Sequence, residues 1–152
     1  MKASTKLICA LIIFMLTMSI LDCANAGDTR IGYMPASHHF VDSCWDESKD
    51  CNESHNGLVI ERRINPEGDW VGVMHYTNSI ENDSWTAYGI NDKFFGDSKH
   101  LSAGLVYGAV TGYDFPVIPY VLPTVSIKAG EHLKVRTIVF PLGAAAQLML
   151  EF

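Results

Sequence analysis

The sequence predicts an all-β protein: an eight-stranded antiparallel up-and-down transmembrane β-barrel behind a secretion signal. Three observations carry this reading. At the C-terminal end Ala146, Leu148, Leu150 and Phe152 fall on one face, and Gln147, Met149 and Glu151 on the other, the period of a strand. An apolar stripe closing on an aromatic is the usual last strand of a bacterial outer-membrane barrel. Beyond residue 26 no segment keeps a 3.6-residue apolar period over a helix length, whereas strand-like segments recur between turn signals.

The N-terminal segment comes first in the chain. Lys2 and Lys6 precede an apolar run from Leu7 to Leu21, which is short for a membrane span, and Ala24-Asn25-Ala26 forms a small-x-small cleavage site. Residues 1–26 therefore read as a secretory signal peptide cut before Gly27. An uncleaved anchor is the alternative; a lipoprotein reading through Cys23 is opposed by Asp22. Residues 27–152 form one domain and carry 9 basic against 16 acidic residues. That balance, with no basic stripe, argues against nucleic acid as a partner.

Strands are expected near 31–41, 57–64, 69–78, 84–94, 101–111, 119–128, 132–140 and 145–152. Asn65-Pro66-Glu67-Gly68, Gly96-Asp97-Ser98-Lys99, Gly112-Tyr113-Asp114-Phe115-Pro116 and Ala129-Gly130-Glu131 punctuate them. Eight is the smallest membrane barrel. Strands of about 9–11 residues would use most of the mature chain and leave no room for a plug or second domain. A soluble eight-stranded barrel of lipocalin shape is the competing fold. Of the four cysteines, Cys44 and Cys51 remain after cleavage, and in an oxidising compartment a disulfide between them is expected to staple a polar loop.

The predicted faces say something about the lumen. Leu101, Ala103, Leu105, Tyr107 and Ala109 would face lipid; Ser102, Gly104, Val106, Gly108 and Val110 would face inward. Val125 and Ile127 oppose Thr124 and Ser126, while Ile138 and Phe140 oppose Thr137 and Val139. Part of the interior is thus apolar, and a barrel this narrow holds either packed side chains or one small ligand. A hydrocarbon chain fits such a slot. Pro119, Pro123 and Pro141 cannot donate to a ladder, so each marks a strand end or a gap in the pairing.

Three polar stretches share one rim of an up-and-down barrel. Ser37-His38-His39-Phe40 ends the first strand, Cys51-Asn52-Glu53 precedes the second, and Tyr76-Thr77-Asn78-Ser79 ends the third, followed by Glu81, Asn82 and Asp83. A hydroxyl, a base and a group to orient that base are what acyl transfer requires. His38 and His39 are both candidates for the base; with Phe40 facing lipid, strand parity turns His39 inward.

In order along the chain, these pieces resemble the outer-membrane lipid A palmitoyltransferase (PagP-type) family. A histidine lies upstream of Cys51-Asn52-Glu53, where the family has Tyr-Asn-Glu. Gly68-Asp69-Trp70 matches its Gly-Asn-Trp hairpin, and Tyr76-Thr77-Asn78-Ser79 its Phe-Lys-Asp-Ser. Tyr88-Gly89, His100-Leu101, Gly108-Ala109-Val110-Thr111, the proline-rich run from Pro116 to Pro123 and Val139-Phe140-Pro141-Leu142-Gly143 follow in the same sequence. The resemblance implies an acyltransferase of the cell outer membrane. It would act as a monomer, need no cofactor or metal, and move a palmitoyl chain from a phospholipid donor to a lipid A acceptor. It implies Ser79 and a histidine as the outer-rim site, with Asn78 in the orienting position, Asn52 and Glu53 toward substrate, Gly89 as floor of the hydrocarbon slot and Pro141 beside a lateral lipid gate. The chain departs from the family where Asn78 replaces Asp, Cys51 replaces Tyr, His55 stands near a missing proline, and no helix length precedes the first strand. If Asn78 orients the base, Asn78→Asp should raise the rate. The alternative is a non-catalytic barrel of the same fold that binds lipid or modifies the envelope.

Overall fold

The computed structural model describes residues 29–41, 50–65, 68–94 and 100–152. The expected signal peptide and Cys44 lie outside the described residues, so the Cys44–Cys51 bridge does too. Eight strands form: β1 (Thr29–His39), β2 (Ser54–Arg63), β3 (Asp69–Thr77), β4 (Asp83–Phe94), β5 (Leu101–Val110), β6 (Ile118–Lys128), β7 (Leu133–Phe140) and β8 (Gly143–Glu151). No helix occurs among the described residues. Each strand pairs antiparallel with its neighbours in sequence, and β8 returns to β1, so the sheet is a closed up-and-down barrel. Closure leaves no strand without a partner on either side, although stretches of two seams are unpaired.

Alternation along the strands sorts the side chains as their polarity demands. Outward positions carry Ile31, Tyr33, Leu58, Ile60, Leu105, Tyr107, Val121, Val125, Ile127, Leu148 and Leu150, all with substantial exposure. Inward positions divide the barrel into two halves. Toward the end bearing the 78–82 and 111–117 connections, here called the upper end, Met34, Met74, Val106, Val110, Ile138 and Phe140 line an apolar cavity. Toward the lower end the interior is filled by charge pairs.

There Arg136 is fully buried and donates from Nη2 to Glu61 Oε2 at 3.0 Å and from Nη1 to Gln147 Oε1 at 3.2 Å. Tyr88 donates to Glu61 Oε1 at 2.7 Å. Arg30 bonds Glu151 at 2.9 Å, lies 3.6 Å from Glu61 and 3.7 Å from Asp92, and stacks on Trp70 at 3.6 Å. Lys134 pairs with Asp92. A low-dielectric interior accepts such charges only when opposite signs and hydrogen bonds surround each one. The lower half is therefore a charged floor beneath an apolar chamber.

Two prolines shape the wall. The β5–β6 ladder runs unbroken through Pro119 and Pro123, so their missing donors face β7. On that side pairing begins only at Thr124↔Ile138, leaving Ile118–Pro123 without rungs to β7. Pro35, inside β1, shifts the register against both β2 and β8.

Candidate active site

The upper chamber has a volume of about 370 Å³, within the range of sites that hold small ligands. Its wall includes Met34, Met74, Val106, Tyr120, Leu122 and Ala145, and its mouth holds His39 and Ser79. His39 Nε2 lies 3.0 Å from Ser79 Oγ, so the base and hydroxyl expected from sequence meet. Strand parity selects between the two histidines. His39 turns inward and is 8% exposed, whereas His38 points outward, 74% exposed, and contacts Glu53 Oε1 through Nδ1 at 3.1 Å.

Residues 52–53 hold the pair from the backbone rather than lining the chamber. Glu53 Oε1 accepts the His39 amide at 3.0 Å, and this bond holds the Glu53 carboxyl below its ordinary range. The Glu53 carbonyl accepts from the Ser37 amide at 2.9 Å. On the other side the Asn52 amide donates to the Ser79 carbonyl at 2.9 Å, and Asn52 Nδ2 to the Asn78 carbonyl at 3.0 Å. One short segment thus clamps the histidine strand and the serine turn together.

Asn78 does not orient the base. It is fully buried, and its whole amide is spent on the turn that carries Ser79: Nδ2 donates to Ser84 Oγ at 3.0 Å and the Gly112 carbonyl at 2.8 Å. Its Oδ1 accepts from the amides of Ile80 at 3.0 Å and Asn82 at 2.9 Å. Gly112 adopts φ +92°, and a Cβ there would lie 2.4 Å from both the Asp83 carbonyl and Ser84 Oγ, so only glycine brings this carbonyl to Asn78. Among the described residues His39 Nδ1 is buried without a hydrogen-bond partner, so none of them supplies an orienting carboxylate.

Gly89 is also displaced from its expected place. Its neighbours Tyr88 and Ile90 face inward, so Gly89 faces outward, where the Tyr107 ring covers it; a Cβ would approach that ring to 2.6 Å. The chamber floor falls instead to Met74, Val106 and their neighbours above the ion pairs. Pro141 does line the chamber, beside the unpaired stretch of β6.

Four further residues, of which only Ser37 was placed at this rim from sequence, contribute to the site. Tyr113 lines the chamber together with Ser79 and Tyr76, and burial raises its phenol above the ordinary value. Its turn was read only as a turn, although a tyrosine between two strands that share the serine's rim is a usable signal. His55 and Ser37, one row below the site, contact each other at 2.6 Å. Phe140 packs against the His39 ring, with centroids 5.4 Å apart.

No protein-family model matches the chain, and no curated protein sequence matches it. The fold and site define the class as far as chemistry allows: an eight-stranded barrel with a Ser–His pair at the mouth of an apolar chamber.

Proposed function

We propose that this chain is an outer-membrane acyltransferase related to the lipid A palmitoyltransferases, moving a palmitoyl chain from a glycerophospholipid to lipid A. The observation that carries the reading is the 3.0 Å His39–Ser79 contact at the mouth of an apolar chamber. The apolar outer surface suits a lipid environment, where a closed barrel satisfies its own backbone. The unpaired stretch between Ile118–Pro123 and β7 suits sideways entry of an acyl chain.

In this mechanism the donor's acyl tail occupies the chamber and its ester lies at the rim. Ser79 Oγ attacks the ester carbonyl while its proton passes to His39 Nε2. The tetrahedral intermediate expels the lysophospholipid alkoxide, which takes that proton and leaves acyl-Ser79. A hydroxyl of lipid A then gives its proton to His39 and attacks the acyl carbon, and the intermediate expels Ser79 Oγ, which takes that proton back from His39. Tyr113, which lines the chamber with Ser79, could supply a phenolic donor to the developing oxyanion.

Mass spectrometry of lipid A from cells expressing the chain tests this reading. A palmitate mass increment is expected, reduced by about 10²–10⁴ in His39→Ala and Ser79→Ala, the span of a lost acid–base group. The second reading, a lipid-binding barrel without catalysis, is favoured by His39 Nδ1 having no partner among the described residues. An unchanged lipid A profile with retained lipid binding would establish it.

A further inference from the structure

The sheet is interrupted just where the site needs it firm. Between β1 and β2 the ladder reaches Ala36↔Ser54, but between β2 and β3 its last rung is Leu58↔His75. Above that rung Asn56 takes φ 47°, and no ladder pair joins β2 to Tyr76 or Thr77. Yet Thr77 stands two residues before Ser79, and Ser37 two residues before His39.

The His55 imidazole occupies this break. Its Nδ1 lies 2.6 Å from the Thr77 carbonyl, and its Nε2 lies 2.6 Å from Ser37 Oγ. A carbonyl only accepts, so Nδ1 carries the hydrogen. In the neutral ring Nε2 then presents its lone pair, and the Ser37 hydroxyl donates to it. His55 and Ser37 are both buried, 3% and 7% exposed, and the Tyr76 ring meets the imidazole edge-on at 5.9 Å. Neither His55 nor Ser37 lines the chamber.

We propose that His55, as the Nδ1–H tautomer, is a positioning residue: a side-chain rung from Ser37 to Thr77 that replaces the missing backbone rungs and fixes the separation of His39 from Ser79. The inference rests on the Ser79–His39 pair being the acyl-transfer site, and it concerns a residue that does not itself touch substrate. An imidazole spans β1 to β3 through one rigid ring, whereas the backbone on either side of Asn56 does not. Misplacing a reacting group by about 1 Å costs on the order of 10²-fold in rate. His55→Phe keeps the ring and removes both bonds; His55→Gln keeps a planar donor and acceptor and can restore both.

The refolded full chain in lipid bilayers, labelled with ¹⁵N in its imidazoles, gives two independent readouts: acyl-transfer kinetics, and the ring-nitrogen shifts of His39 and His55. For His55→Phe the expected result is a fall in kcat of about 10²-fold with the donor KM unchanged, and His39 Nε2 shifted toward an unbonded ring. His55→Gln should recover most of both. Unchanged kcat and an unchanged His39 shift in His55→Phe would overturn the proposal while leaving the transferase reading intact. A wild-type chain without transferase activity, whose His39 shift still depends on His55, would overturn the transferase reading and leave the rung standing. Should His55→Phe fail to fold, Ser37→Ala removes one end of the rung with little loss of volume. It is expected to move kcat and the His39 shift in the same direction, and no change in either overturns the proposal.

Discussion

Asn78→Asp replaces one buried nitrogen by oxygen, and the structure predicts the opposite of what family resemblance suggests. Two of the four Asn78 bonds survive, because an oxygen still accepts from the Ile80 and Asn82 amides. The Ser84 hydroxyl can rotate and donate in place of accepting. The bond to the Gly112 carbonyl is lost while the new carboxyl is ionised, since two acceptors then face each other across 2.8 Å, and regaining it requires protonation of the carboxyl. Losing a buried hydrogen bond costs about 1–3 kcal/mol, more for a charged group. Some of this is offset by charge-assisted bonds to the two amides. A net destabilisation of about 2 kcal/mol is expected, concentrated in the turn that presents Ser79. Denaturant unfolding in detergent measures the stability, and lipid A mass spectrometry the transfer. Both should fall. A higher transfer rate in Asn78→Asp would mean that the carboxylate reaches His39, and the turn assignment would be refuted.

Other perturbations follow from the same geometry. Arg136→Met leaves Glu61 buried without its main partner and should destabilise the barrel by about 3–5 kcal/mol, read as a lower unfolding midpoint; an unchanged midpoint would show that the lower cluster contributes nothing. Val106→Trp fills the chamber from its wall, so donor turnover and binding should drop while the circular dichroism of the barrel persists. Glu53 is held below its ordinary value of 4.5 by the His39 amide. Its stabilising bond is therefore complete above pH 4.5 and lost as pH falls through the depressed value; Glu53→Gln should flatten that part of the acid-unfolding curve.

The strand pattern made the barrel legible, because the period of two survives in every segment and turn residues separate them. Expected strand bounds fall within three residues of those observed, the largest offset being at β2, which starts at Ser54 rather than 57. The His39 choice followed from parity alone, a quantity that a strand cannot slip without exposing its whole core face. Gly89 was misplaced because a resemblance assigns roles by sequence order, whereas one residue of parity decides which side of the wall a position faces. Asn78 was read as a triad remnant because its turn partners, Ser84 and Gly112, become neighbours only when the chain folds. Nothing local announced the ionic floor either: Arg30, Glu61, Asp92 and Arg136 lie on four different strands, and only their common inward parity links them.

That floor has a consequence for how the barrel comes together. Glu61 arrives with β2 and Asp92 with β4, but Lys134 and Arg136 arrive only with β7, and Glu151 with β8. A half-built sheet would hold two anions against Arg30 alone, in a place that water leaves as the cylinder shuts. The last hairpin therefore delivers neutrality together with closure, making completion an all-or-none event that a truncated chain cannot imitate.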